Sequence, residues 1–133
     1  MGSVLDRGVT ALRGCRVLVV EDEFLVALLL EDQLERLGCR IGTAATLAEA
    51  MDAVATEHFD IAVLDINLSG EKSFPVAAAL KARGTPFLFA TGFGAAGVDA
   101  PFTDAPVLQK PYTEAQLRGA LLAALSASSR SET

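Results

Sequence analysis

Tryptophan is absent from this chain, tyrosine and histidine occur once each, and only two of its 133 residues are cysteine. Two cysteines are too few for a disulfide scaffold. Cys15 and Cys39 also match no metal-ligand spacing, so they read as reduced thiols in a cytoplasmic protein. The one histidine, His58, sits in Thr56-Glu57-His58-Phe59 and reads as a solvated helix end rather than a phosphoacceptor. Basic residues are scarce. Eleven Lys and Arg against 17 Asp and Glu leave a net charge of −6, so there is no broad basic surface to hold nucleic acid. The longest strictly apolar stretch, Phe24 to Leu30, falls far short of the roughly 20 residues that cross a bilayer. The N-terminus lacks the basic-then-apolar order of a signal peptide. No repeat and no second domain is visible. The expectation is a single globular domain with neither nucleic acid nor membrane as partner.

Short apolar strands alternate with amphipathic helices along the whole chain. Val17 to Val20, Ile61 to Leu64, Phe87 to Ala90 and Val107 to Gln109 read as buried strands, with Cys39 to Thr43 as a further one. A first helix from about Glu23 to Leu37 places Val26, Leu30, Leu34 and Leu37 on one face, and Gly38 stops it. Thr46 with Glu49 forms a capping box for a second helix reaching about Glu57. A third covers roughly Phe74 to Arg83, with Pro75 in its first turn and Gly84 at its end. Thr113 with Gln116 caps the last, whose stripe is Leu117, Leu121, Leu122 and Leu125. Residues 1–14 read as a leader, and Ser126 to Thr133 as a disordered polar tail. The fourth helix, due between Gly92 and Ala105, meets Gly92, Gly94, Gly97 and Pro101. Each such glycine costs about 0.5–1 kcal/mol relative to alanine and a proline roughly 3, so a short or irregular element is expected there.

This order predicts an α/β fold: an open, doubly wound parallel sheet whose ligands bind at the carboxyl ends of the strands. Polar residues collect at just those ends. Glu21-Asp22 follows the first strand, Asp65 the third, Thr91 the fourth and Lys110 the last. Asp22 and Asp65 suit Mg²⁺, which takes one or two protein carboxylates among six oxygens. Asn67 can add its backbone carbonyl, and Glu21 can act through a water. Asp65 is the candidate nucleophile, since a carboxylate accepts a phosphoryl group as an acyl phosphate. Lys110 would neutralise developing charge. Thr91 would sense the phosphoryl group once it is present.

In order, Val-Leu-Val-Val-Glu21-Asp22-Glu23, Leu-Asp65-Ile-Asn67-Leu, Phe-Ala-Thr91-Gly and Gln-Lys110-Pro111-Tyr112 resemble the receiver domains of bacterial two-component response regulators. The resemblance covers Arg16 to Leu125 and assigns residues 15–125 to the receiver. It implies a flavodoxin-like receiver fold, a five-stranded sheet in the order 2-1-3-4-5. It also implies phosphorylation of Asp65 by a histidine kinase or histidine phosphotransfer protein. Mg²⁺ would sit on Asp22, Asp65 and the Asn67 carbonyl, with a cis peptide before Pro111. Phe89-Ala90-Thr91-Gly92-Phe93-Gly94 further resembles the FATGUY receivers of alphaproteobacteria, which often lack an output domain and have a poorly formed fourth helix. Two positions depart from the common pattern. Val107 stands where many receivers carry an aromatic switch residue, leaving Tyr112 as a substitute. Leu68-Ser69-Gly70-Glu71 lacks the frequent proline.

The expected function is a stand-alone phosphoaccepting regulator that signals by binding an unidentified target protein, not an enzyme with a substrate of its own. Phe93, two past Thr91, is a lifetime candidate, because it would crowd the water that attacks the acyl phosphate. Phe24 and Leu28 lie one turn apart off the core stripe of the first helix, beside Glu31 and Glu35, and form a candidate docking patch for a kinase or a second subunit. Three alternatives stay open. An aspartyl phosphatase would want a second Asp where Asn67 stands. A flavodoxin-like cofactor binder would want a phosphate loop where the acidic pair lies. A receiver cut from a hybrid kinase would read the same.

Overall fold

A computed structural model describes residues 12–92 and 105–131. Five parallel strands form one sheet: β1 (Arg16–Val20), β2 (Arg40–Ala44), β3 (Ile61–Asp65), β4 (Phe87–Thr91) and β5 (Val107–Gln109). Their order across the sheet is 2-1-3-4-5, as expected. Helices α1 (Phe24–Arg36), α2 (Leu47–Thr56), α3 (Phe74–Ala82) and α4 (Glu114–Ser131) cover both faces. Such a sheet is buried on both sides, which is why its strands read as unbroken apolar runs.

The two-residue period of a strand divides the core in two. Leu18, Val20, Leu64 and Phe89 point to the α2–α3 side, where Ala50, Val54, Val76 and Leu80 meet them. Val17, Val19, Ile61, Val63 and Leu88 point to the other side, against Leu30 and Leu34 of α1 and Leu117 and Leu121 of α4. The Thr113–Gln116 capping box closes fully, whereas at Thr46 the Glu49 carboxylate accepts instead from Ala45 N–H at 2.8 Å. Glu49 N–H donates to Thr46 Oγ1 at 3.1 Å. At the last helix, Gln116 N–H donates to Thr113 Oγ1 at 3.1 Å and Gln116 Oε1 accepts from Thr113 N–H at 2.8 Å. The Lys110–Pro111 peptide is cis.

Three features differ from expectation. The stretch from Ser126 that reads as a disordered tail is helical as far as Ser131. It contains no Gly or Pro to stop the helix, and extension adds a hydrogen bond per residue without a new nucleation cost. The boundary after residue 14 falls too late. Leu12 is fully buried beside Cys39, whose Sγ lies 3.5 Å from the Leu12 carbonyl, and Gly14 N–H donates to Gly38 O at 2.7 Å. Burying one leucine is worth roughly 1.5–3 kcal/mol, so Leu12 belongs to the domain. Finally, Asn67–Leu68 and Glu71–Lys72 pair as an antiparallel hairpin where a plain loop was expected. The short or irregular element expected between Gly92 and Ala105 falls on residues 93–104, outside the described residues.

Candidate functional site

Register brings the polar strand ends together. Val20 aligns with Leu64, Asp65 with Ala90, and Thr91 with Gln109, so the residues that follow share one rim. The chain direction across the sheet reverses at β1 and β3, and ligands of doubly wound folds bind above such a switch point.

Glu21, Asp22 and Asp65 each place a carboxylate oxygen at that rim, all within 4.8 Å of one another. Opposite ligands on Mg²⁺ are about 4 Å apart. Three hard oxygen donors at nearly that spacing, with a net excess of negative charge, suit a divalent cation. The Lys110 ammonium donates to Glu21 Oε1 at 2.6 Å and lies 3.9 Å from Asp65 Oδ1. Glu21 is buried and also accepts the Glu23 N–H at 3.4 Å, at the positive end of α1. Glu21 thus pairs directly with the lysine while sharing the rim with Asp22 and Asp65.

The environment separates the two aspartates. Burial pushes Asp65 up to about 7, helped by a shared hydrogen bond with Glu21 and by the charges of Glu21 and Asp22, while Lys110 opposes the rise. Asp22 is held below the ordinary carboxylate range. Its slight burial works the other way, but the Ser69 hydroxyl and backbone N–H both donate to it and prevail.

Thr91 is buried at the end of β4, and its carbonyl accepts the Lys110 backbone N–H at 2.8 Å. Tyr112 packs against the α1–α4 side of the core. Burial pushes its hydroxyl up to about 12, with the Glu21 charge adding to the effect. Val107 packs half-buried against the α2–α3 side. Phe93 lies outside the described residues. Phe24 and Leu28 are on α1 and are 75% and 49% exposed. Leu25 and Leu29 beside them are exposed as well, at 77% and 60%, and enlarge that apolar face beyond the expected pair. Ser69 escaped the sequence reading. Its signal was the Ser-Gly pair, a turn type that needs positive φ at both residues.

Residues 17–122 match the response regulator receiver domain family. The chain belongs to that family. Among curated relatives, the transcriptional regulatory protein TcrA of Mycobacterium tuberculosis is 38% identical over 106 residues, covering 74% of this chain and 41% of that protein. The receiver thus spans less than half the length of this relative. The solution structure of SdrG from Sphingomonas melonis Fr1 is 50% identical, with a TM-score of 0.76, covering 85% of this chain and 97% of that one. The receiver domain of PhyR from Erythrobacter litoralis is 31% identical, with a TM-score of 0.75, covering 87% and 93%. Receiver domains accept phosphoryl groups from histidine kinases and act on downstream partners. No helix among the described residues is long and apolar enough to cross a membrane.

Proposed function

We propose that this receiver accepts a phosphoryl group on Asp65 from the phosphohistidine of a kinase or phosphotransfer protein, in a Mg²⁺-dependent step. It then signals as a stand-alone cytoplasmic regulator by binding a target protein. The carrying observation is the meeting of three carboxylates and one ammonium above the switch point of the sheet.

Asp22, Asp65 and the Asn67 carbonyl would hold the ion. When bound, Mg²⁺ supplies neutralising charge to the carboxylates and to the transferring phosphoryl oxygens. The chain's own residues do the rest. An Asp65 oxygen attacks phosphorus as the P–N bond to the donor imidazole breaks, the imidazole taking that electron pair and a proton. Asp65 must be ionised to attack, and the neighbouring Lys110 charge favours that form. Lys110 then exchanges Glu21 for a phosphoryl oxygen, a short move from its present place between Glu21 and Asp65. The Thr91 hydroxyl, on the same rim, donates to a second oxygen. With Val107 too small to swing as an aromatic, Tyr112 beside Glu21 is the candidate that registers the lysine's departure. Phe93 would limit the water that later hydrolyses the acyl phosphate.

The exposed face of α1, centred on Phe24 and Leu28, is the surface proposed to meet the kinase or a second copy of the chain.

Incubation with Mg²⁺ and a small-molecule phosphodonor tests the reading by intact-protein mass spectrometry. Wild type should gain one phosphoryl mass and Asp65→Ala none. Equal gain in both proteins would place the acceptor elsewhere.

A further inference from the structure

Asp22 is clamped from outside its own strand. One of its oxygens, Oδ2, accepts both the Ser69 backbone N–H at 2.8 Å and the Ser69 hydroxyl at 3.0 Å. Ser69 and Gly70 are the two turn residues of the hairpin, with φ of 52° and 91°. That left-handed pair is the turn whose twist matches a two-residue hairpin. Glycine would adopt the Ser69 conformation without strain, whereas serine does not favour it. The residue found there nevertheless carries the hydroxyl that reaches Asp22.

The same hairpin presents Asn67. Leu68 and Glu71 flank the turn, and the next rung is Ser73 N–H donating to Ile66 O at 2.8 Å. The pair between these rungs, Asn67 and Lys72, is therefore a non-hydrogen-bonded one, and the Asn67 carbonyl points away from the ladder. One short hairpin thus grips the carboxylate two residues past β1 and leaves a backbone oxygen of its own unclaimed by the ladder.

We propose that Ser69 is a positioning residue for the cation pocket. By occupying one oxygen of Asp22 it fixes the carboxylate's rotation, leaves the other oxygen for a divalent ion, and sets Asp22 at a constant distance from the Asn67 carbonyl. The inference rests on reading this rim as the receiver's Mg²⁺ site. Hydrogen bonds of this kind, from outside the ligand set, typically change metal affinity 10–100-fold.

Ser69→Gly separates the hydroxyl from the turn, because glycine keeps the backbone N–H and suits the positive φ. Mg²⁺ titration of the unphosphorylated full chain, followed by amide NMR shifts, should show Kd weakened about 10-fold in Ser69→Gly. The thermal midpoint should stay equal or rise, which separates positioning from a merely structural role. A Ser69→Gly protein that binds Mg²⁺ as tightly as wild type overturns the role of Ser69 alone. A wild type that binds no Mg²⁺ at millimolar concentration overturns the site reading beneath it.

Discussion

The two ends of the sheet are charged in opposite styles. At the amino end, Arg16 opens β1 and is matched on every side. Its backbone N–H donates to Asp60 Oδ2 at 2.8 Å, its guanidinium pairs with Glu57 and reaches the His58 carbonyl at 3.2 Å, and it lies 4.9 Å over the Phe59 ring. At the carboxyl end, three carboxylates face the Lys110 ammonium, the one cation that pairs with them among the described residues. The first arrangement satisfies each group with its opposite and reads as structural. The second leaves like charges crowded together, which a protein tolerates where an outside ligand completes the balance. Carboxylates each matched by a guanidinium or a backbone N–H at one end, and carboxylates crowded round a single ammonium at the other, distinguish a seam from a site.

Removing the cation from each end tests that contrast. Lys110→Met should cost about 2–3 kcal/mol of apo stability at pH 8, because it strands the buried Glu21 carboxylate beside two others. The loss should shrink towards pH 5, where Asp65 is protonated, and chemical denaturation at both pH values measures it. Equal loss at the two pH values would mean that Lys110 matters through packing rather than charge.

Wild type should itself show a pH dependence from the same crowding. Asp65 is raised from an ordinary value of 3.8 to about 7, so between those limits the folded state holds a proton that the unfolded state has released. Stability from this group is complete below about pH 4 and is lost as pH climbs to about 7, roughly 1–2 kcal/mol once solvent screening at the half-open rim is included. Asp65→Asn should flatten that slope. A slope unchanged by the substitution would assign it to another group.

Arg16→Ala, at the matched end, should cost about 1 kcal/mol through the lost ion pair and ring contact, with little change between pH 5 and 8 and no effect on phosphoryl uptake. The smallest effect on stability is expected on α1. Phe24→Ser with Leu28→Ser removes apolar area that is mostly exposed on Phe24 and half exposed on Leu28, and should stay within about 0.5 kcal/mol of wild type, yet slow phosphotransfer from the kinase or dissociate a dimer. If transfer rate and oligomeric state are both untouched, the face is not a docking surface.

What could be read from sequence was whatever the chain writes locally. The strands were readable because burial on both faces demands consecutive apolar residues, and the helix starts because Thr46 and Thr113 carry their partners three residues on. Asp22, Asp65, Thr91 and Lys110 were readable because strand ends in this fold converge whatever the intervening loops do. The hairpin was not, since strands of two residues show no alternation and Ser-Gly is a weaker turn signal than Asn-Gly. Nor was the Lys110–Glu21 pair, whose partners are far apart in sequence and whose choice over Asp65 depends on side-chain geometry. Leu12 was missed because a single apolar residue amid polar ones has no period. Ser126 to Ser131 was missed because composition describes a tail poorly when a well-nucleated helix runs into it.

The strand order has a mechanical corollary. Asp22, Asp65 and Thr91 hang from β1, β3 and β4, each walled in by other strands, whereas Lys110 hangs from the marginal three-residue edge strand β5. A pull exerted at the rim by a newly attached anion meets a stiff mount on one flank and a compliant one on the other. Displacement should therefore travel outward through β5 towards α4, and the opposite margin at β2 should stay still.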